Sequence, residues 1–200
     1  MIGARPDVRR ATAADRPRLA TALARAFHDD PVMSWFFPED DKREARNRRF
    51  FGMRLRQLVP QGESYTVDGC RAGALWTVPG AWHLSNLETA RMAIALAPAL
   101  GRRMGRVLKG VDRIERTHPE EPHYYLAVLG TEPELQGQGV GSALMRPVLD
   151  GCDRDEVAAY LESSKERNIA FYARHGFRVT GEVTLPDGPT VWSMWREPRP

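Results

Sequence analysis

The 200-residue sequence has only two cysteines and no apolar run long enough to cross a membrane. Cys70 and Cys152 stand far apart, without the close spacing of metal-binding cysteines, so we expect reduced thiols and a cytoplasmic protein. The most apolar stretch, residues 92–100, contains Pro98 and falls well short of the roughly 20 residues that a membrane helix needs. Residues 1–10 lack the apolar segment of a signal peptide. We therefore expect neither a membrane protein nor a disulfide-stabilised secreted domain.

The charged residues form no block of one sign. Lysine and arginine number 29 against 26 acidic residues, which leaves a net charge of +3, and the basic residues are interspersed with acids. This distribution does not indicate a nucleic-acid-binding surface. The five histidines show no metal-binding spacing such as HExxH, so no metal is expected. The length and the apolar fraction of 42% are typical of one globular domain, here residues 1–200.

Hydrophobic periodicity predicts an α/β domain built around one mixed sheet. A first half of helices with one hairpin, turning at Asp68-Gly69, is followed by a β-α-β-α-β-β order. The predicted strands are residues 8–11, the two arms of the 63–79 hairpin, 123–130, 157–163, 177–185 and 190–196. The predicted helices begin after Thr12 or Asp15 and cover residues 41–59, 84–110 with a break near 98–101, 139–152 and 168–175.

The segment "HDDPVMSWFFPEDD" interrupts this order with two prolines and three aromatic residues. It is either a loop or short helix that fills the core, or a wall of a substrate pocket. Asp29 and Asp30 either bind a cationic amine or form a turn or helix end. Trp35, and Trp76 in the hairpin, either line an acceptor pocket or pack in the core.

Three glycines alternate in "ELQGQGVGSAL", between a predicted strand and a predicted helix. Bare backbone at a helix N-terminus suits an anion such as a phosphate, because free N–H groups and the helix dipole converge there. A Walker A loop needs Lys and then Ser or Thr after the last glycine, and Ser142-Ala143 does not match. A dinucleotide fingerprint needs a glycine where Ser142 stands. Neither common nucleotide-binding motif is therefore present.

The arrangement Gln136-x-x-Gly139-x-Gly141 after the strand "YYLAVLG" resembles motif A of the GNAT (Gcn5-related) N-acetyltransferases. The downstream segment "YLESSKERNIAFYARHGF" resembles the next strand and helix of the same family. Several further segments are similar to puromycin N-acetyltransferase-like enzymes, although Asp30 stands where those enzymes carry tyrosine. The resemblance implies a mixed, mostly antiparallel sheet flanked by helices on both faces.

The resemblance also implies acetyl-CoA as the cofactor and direct acetyl transfer within a ternary complex. Its pantetheine arm would pair with the strand at Ala127, Val128 and Leu129, and its pyrophosphate would lie on the glycine loop. The implied coenzyme-binding residues are Ala127, Val128, Leu129, Gln136, Gly137, Gln138, Gly139, Val140, Gly141, Ser142 and Asn168.

Two residues are expected to move protons. Glu162, at a strand end, is either the base that deprotonates the amine or a structural ion-pair partner. Tyr172 matches the family's tyrosine acid, and its alternative is a core tyrosine. The function expected is acetylation of the primary amine of a small molecule, such as an aminoacyl or antibiotic-like amine. The alternatives are a protein or peptide N-acetyltransferase and an idle acyl-CoA-binding sensor. A monomer or homodimer is expected, with neither nucleic-acid nor membrane partners.

Overall fold

The computed structural model describes residues 6–83 and 85–199, except for the side chain of Asn86. Within them, seven strands form one sheet in the order β1-β2-β3-β4-β5-β7-β6. All neighbouring strands are antiparallel except β4 and β5, which are parallel. The strands are β1 (Val8–Arg10), β2 (Ser64–Val67), β3 (Ala72–Thr77), β4 (His123–Thr131), β5 (Ala158–Ser163), β6 (Arg178–Thr184) and β7 (Thr190–Arg196).

Helices cover both faces of the sheet. Those of the described residues are α1 (Arg16–Ala26), α2 (Pro31–Phe36), α3 (Asp40–Leu58), α4 (Asn86–Leu100), α5 (Met104–Glu115), α6 (Val140–Arg154) and α7 (Ile169–Arg174). Side chains alternate between the two faces of a strand. Leu75 accordingly packs into a core with α1 to α5, whereas the next residue, Trp76, packs into a second core under α6 and α7. The expected fold class, a mostly antiparallel mixed sheet between helical layers, is confirmed.

The sheet opens between β4 and β5. Their pairing runs from His123 with Ala158 to Leu126 with Leu161 and then stops, although β4 continues to Thr131. On its other edge β4 bulges against β3, because Leu75 pairs with Val128 and Trp76 pairs with Leu126. This leaves Ala127 as an extra residue, and a bulge of this kind increases the local twist. The carboxyl half of β4 therefore has an edge that β5 does not cover.

Most predicted elements are found within a few residues of the expected bounds. The 84–110 segment is two helices, α4 and α5, broken at Gly101–Arg103 as predicted; Leu84 itself lies outside the described residues. The segment after α1 contains a short helix, α2, rather than an extended loop. In α3 the deeply buried ring is that of Phe51, while Phe50 and Met53 are only partly buried against the core. Both cysteines are free and buried, and no described helix has the length and apolar character that a membrane span requires.

We predict that Gly130→Ala destabilises the protein. A Cβ atom at this buried position in β4 would lie 2.7 Å from Leu23 Cδ2 and 2.8 Å from Phe27 Cε2 of the segment packed above it. Overpacking of this kind costs about 1–3 kcal/mol. The control is Gly105→Ala in α5, where a Cβ meets no atom within 4 Å and helix propensity favours alanine by about 1 kcal/mol. In denaturant unfolding, the midpoint should be lower than that of the parent for Gly130→Ala and higher for Gly105→Ala. An unchanged midpoint for Gly130→Ala would contradict the close packing at this position.

Candidate active site

The glycine loop owes its shape to two left-handed residues. Gly137 has φ 75° and Gly139 has φ 79°, a region where a side chain is unfavourable by about 1–2 kcal/mol. Gly141 is needed for a different reason: a Cβ there would lie 3.2 Å from Cζ of Phe171. The three alternating glycines thus serve two turns of the backbone and one close contact with α7.

The first turn of α6 is free of a side-chain cap. Gly139 is its N-cap residue and has no side chain to accept from the N–H groups of the first turn. The neighbouring glutamines brace the loop instead, since Gln136 Nε2 donates to Thr131 O at 3.1 Å and Gln138 Nε2 donates to Glu134 O at 2.8 Å. A helix start with unused N–H groups attracts an anion, so the loop has the form of a phosphate cradle.

A groove of about 520 Å³ extends from this loop into the gap between β4 and β5. It brings together all but one of the predicted coenzyme-binding residues; Gln138 does not line it. Asn168 does, and its side chain makes no capping hydrogen bond to α7. Three basic residues that the sequence did not single out, Lys165, Arg167 and Arg174, also line the groove. Their positive charge adds to that of the helix N-terminus.

A second cavity, of about 330 Å³, lies between the sheet and helices α2 to α5. Its walls are mainly apolar and aromatic. It meets the groove at six residues that line both: Phe27, Asp30, Ala127, Val128, Glu162 and Ser164. The groove and the apolar cavity therefore open onto one shared point, beside the exposed half of β4.

Glu162 stands at this shared point with one carboxylate oxygen unsatisfied. Its Oε1 atom is buried and accepts no hydrogen bond from the described residues, which is an unfavourable state for a charged oxygen. His118 Nδ1 lies 3.4 Å away, close enough for an ion pair but not aligned as a hydrogen bond. Glu162 therefore offers one carboxylate oxygen to a group that enters either cavity.

His118 and His123 form a hydrogen-bonded pair next to Glu162. His123 Nδ1 lies 2.6 Å from Glu121 O, and its Nε2 lies 2.9 Å from His118 Nε2. Because a carbonyl only accepts, His123 Nδ1 must donate, and in neutral His123 the Nε2 atom then accepts from His118 Nε2–H. Burial lowers the pKa of His123, which favours that neutral form. His118 consequently presents Nδ1 to Glu162 as the atom that can exchange a proton with it.

Tyr172 is buried and lines the groove on the α7 side. Burial raises the pKa of its phenol well above the usual range, and the negative charge of Asp30 raises it further. The hydroxyl therefore stays protonated at neutral pH and can donate a proton or a hydrogen bond. Tyr172 and Glu162 both line the groove, as a shared catalytic role requires.

The two aspartates predicted for the acceptor have structural partners. Asp30 is the N-cap of α2, where its Oδ1 accepts from Val32 N at 3.0 Å and Met33 N at 3.1 Å, and its Oδ2 accepts from Ser164. Asp29 is exposed and pairs with Lys165 at 2.7 Å and Arg167 at 3.2 Å. Neither carboxylate is free for a cationic amine, so the alternative reading, a helix end, is the one that fits.

The two tryptophans lie outside both cavities. Trp35 packs in the core with its Nε1 donating to Pro186 O at 3.1 Å, and Trp76 is fully buried in the core under α6. Neither is among the residues that line the groove or the apolar cavity. Of the two alternatives that the sequence left open, core packing is therefore the one that fits, because both side chains are buried. Phe36, Phe50 and Phe51 line the apolar cavity instead.

Several site residues had no sequence signal. His118 and Tyr125 are brought to Glu162 by strand pairing and by the end of α5, and Arg54 reaches the cavity from the middle of α3. From the sequence, the arginines of α3 are expected to face solvent. Arg54 differs from the others only because α4 and α5 pack over its part of the helix. Among the residues that the structure describes, no group of three or more potential metal ligands is present.

Comparison with known proteins finds similarity to acetyltransferases. Residues 101–179 match the model of the acetyltransferase (GNAT) domain. The solved structure of a protein described as "histone acetyltransferase HPA2 and related acetyltransferase", from Corynebacterium glutamicum, is 28% identical and superimposes with a TM-score of 0.75 over 98% of both chains.

Two curated relatives are each 24% identical. One is an uncharacterised N-acetyltransferase of Schizosaccharomyces pombe, aligned over 88% of this chain and 76% of its own length. The other is a probable serine/threonine-protein kinase of Dictyostelium discoideum, aligned over 82% of this chain but only 20% of its own length. This chain thus corresponds to a small part of that larger protein. The resemblance to GNAT acetyltransferases is confirmed.

We predict that Asp29 and Asp30 affect stability with opposite pH dependence. Burial raises the pKa of Asp30, so relative to Asp30→Asn the parent should lose unfolding free energy as pH rises above the unfolded value of about 3.9. Lys165 lowers the pKa of Asp29, so relative to Asp29→Asn the parent should lose stability as pH falls below about 3.9. Denaturant unfolding across this range measures both differences; the same sign for both variants would contradict the assigned environments.

Proposed function

We propose that this chain, an N-acetyltransferase with a GNAT acetyltransferase domain, transfers the acetyl group of acetyl-CoA to the primary amine of a small molecule. The observation that carries the proposal is the meeting of two cavities at Glu162. One is a groove with a phosphate cradle at its end, and the other is an apolar cavity large enough for a small acceptor. Both reactants can reach the same point, so transfer is direct.

The residues of the groove suit the coenzyme. Its diphosphate needs bare N–H groups and positive charge, which the start of α6 and the basic residues near α7 offer. Its arm carries amides that can hydrogen-bond along an open strand edge, and the half of β4 after Leu126 has such an edge towards β5. Bound there, acetyl-CoA supplies the acetyl group as a thioester. A main-chain N–H near Leu129 would stabilise the charge that develops on the carbonyl oxygen, an effect typically worth about a hundredfold or more in rate.

The protein's own residues account for the two proton movements. An ammonium has no lone pair, so Glu162 takes a proton from the acceptor, directly or through water. The proton can continue to His118 Nδ1, which restores the carboxylate. On the other side of the reaction, the Tyr172 hydroxyl donates a hydrogen bond that stabilises the departing sulfur. Its raised pKa keeps the phenol protonated, and so able to donate, at neutral pH.

The shape of the acceptor site favours a small molecule over a polypeptide. Helices α2 to α5 line the cavity with mainly apolar side chains, whereas a groove for a basic peptide would need acidic walls. A protein or peptide acceptor is the second candidate, because the solved relative from Corynebacterium glutamicum is described as a histone acetyltransferase. Acetylation of a basic peptide without acetylation of any small amine would favour that candidate. An idle sensor has no need of both Glu162 and Tyr172 at one point.

We predict that coenzyme A stabilises the parent protein and that Gly139→Asp abolishes this effect. A ligand at one hundred times its dissociation constant stabilises the folded state by about 2.7 kcal/mol. An aspartate at Gly139 would place a negative charge in the phosphate cradle. The matched control is Gly105→Asp, at an open position in α5, and it should keep the full thermal shift. If coenzyme A leaves the melting temperature of the parent unchanged, the coenzyme assignment is wrong.

Two variants should separate the base from the acid by their pH profiles. Glu162→Gln removes the base, so turnover should fall most near neutral pH and recover as alkaline pH supplies the free amine. Tyr172→Phe removes only a hydroxyl, and turnover should fall at least about tenfold at every pH, with little change in the KM for acetyl-CoA. Steady-state rates measured from pH 6 to about 10 give the pH profiles of both variants. The upper limit is the ordinary pKa of tyrosine. Parallel profiles for the two variants would mean that the roles are misassigned.

A further inference from the structure

The apolar cavity contains one cation that the mechanism does not use. Arg54 of α3 is the only lysine or arginine among the described residues that line it. Its Nη1 atom donates to Gln57 Oε1 at 2.6 Å, and the guanidinium forms no ion pair with a described carboxylate. Burial lowers the pKa of Arg54, although the nearby charges of Tyr125, Glu162 and Glu88 act in the opposite direction. Arg54 is only partly buried, and apart from the bond to Gln57 its guanidinium has donors left for a ligand in the cavity.

The surroundings of Arg54 indicate which ligand group could pair with its guanidinium. Phe36, Phe50, Phe51, Met92 and Val111 make the wall of the cavity apolar. A guanidinium presents a planar set of donors that matches a carboxylate with two parallel hydrogen bonds. Glu162, which takes the proton of the amine, lies in the same cavity and is close enough to affect the pKa of Arg54. The cavity thus combines a cation, a base and an apolar wall.

We propose that Arg54 binds the carboxylate of the acceptor, and that the acceptor is an α-amino acid with an apolar or aromatic side chain. The amine points to Glu162, the carboxylate to Arg54 and the side chain to the aromatic wall. An amine without a carboxylate leaves most N–H donors of the guanidinium without an acceptor, and a site built to pair with a polar group discriminates against ligands that lack it. This inference rests on the proposed function and narrows its substrate class.

The test uses three acceptors that share one ring: L-phenylalanine, L-phenylalaninamide and phenethylamine. With saturating acetyl-CoA, the parent should show a kcat/KM for phenylalanine that exceeds that for phenethylamine by about tenfold or more, the size of a hydrogen bond to a charged group. Arg54→Met should abolish this preference by raising the KM for phenylalanine, and Arg54→Lys should retain part of it. Rates are compared at equal concentrations of the free amine, and each variant is also compared with the parent on the same acceptor, so differences in amine pKa cancel. The control is Arg56→Met, at an exposed position of the same helix.

A binding measurement decides the question independently of turnover. Calorimetric titration of phenylalanine and phenethylamine into the parent saturated with coenzyme A should show tighter binding of phenylalanine, and Arg54→Met should lose the difference. A normal coenzyme A thermal shift shows that the variant is folded. Equal binding or equal kcat/KM for the two acceptors by the parent would overturn the inference. The inference would also be overturned if Arg54→Met lowered kcat by the same factor for all three acceptors. That result would mean that Arg54 only positions Glu162. If the parent acetylates phenethylamine and phenylalanine equally well, this inference is refuted, whereas the proposed function stands.

Discussion

The separation of β4 from β5 after Leu126 is the constraint on which the site depends. Up to Leu126 the two strands pair, and this pairing holds the two halves of the sheet together. Beyond it the bulge at Ala127 turns β4 away, which creates the groove and leaves one strand edge open. The same separation brings the end of β5, with Glu162, to the point where the groove and the apolar cavity meet. A sheet that stayed paired to Thr131 would have neither a groove nor a shared reaction point.

Burial and charge act together at this point. Glu162 keeps a buried oxygen without a hydrogen bond, while the adjacent histidine pair offers one ring nitrogen that can take a proton. Tyr172 has the opposite property, a phenol whose proton is held by burial and by the charge of Asp30. The two groups therefore differ in what they offer to a ligand, a carboxylate oxygen without a hydrogen bond and a protonated hydroxyl, because each has its own environment.

The glycine loop shows why part of the site could be predicted from sequence. Left-handed backbone at Gly137 and Gly139 and close packing at Gly141 each require glycine locally, so the requirement is visible in the residue types themselves. Glu162 and Tyr172 lie within residues 160–177, a segment that resembles the family, and their roles stay predictions. Asp30 illustrates the opposite case: a carboxylate before proline reads equally as a ligand or as a helix cap. Only the position of α2 and Ser164 shows that both of its oxygens have partners.

The sequence alone determined the order of strands and helices, the phosphate-type loop and the family resemblance, because periodicity, turns and short motifs are local properties of the chain. The tertiary structure alone decided which side chains line the two cavities. Trp35 and Trp76, large and aromatic, suit a pocket wall by composition, yet both are buried in the core. Arg54 is indistinguishable in the sequence from the other arginines of α3 and lines the cavity only because α4 and α5 enclose that part of the helix. Which side of an element becomes a pocket is set by what packs against it from distant parts of the chain, and no local pattern contains that information.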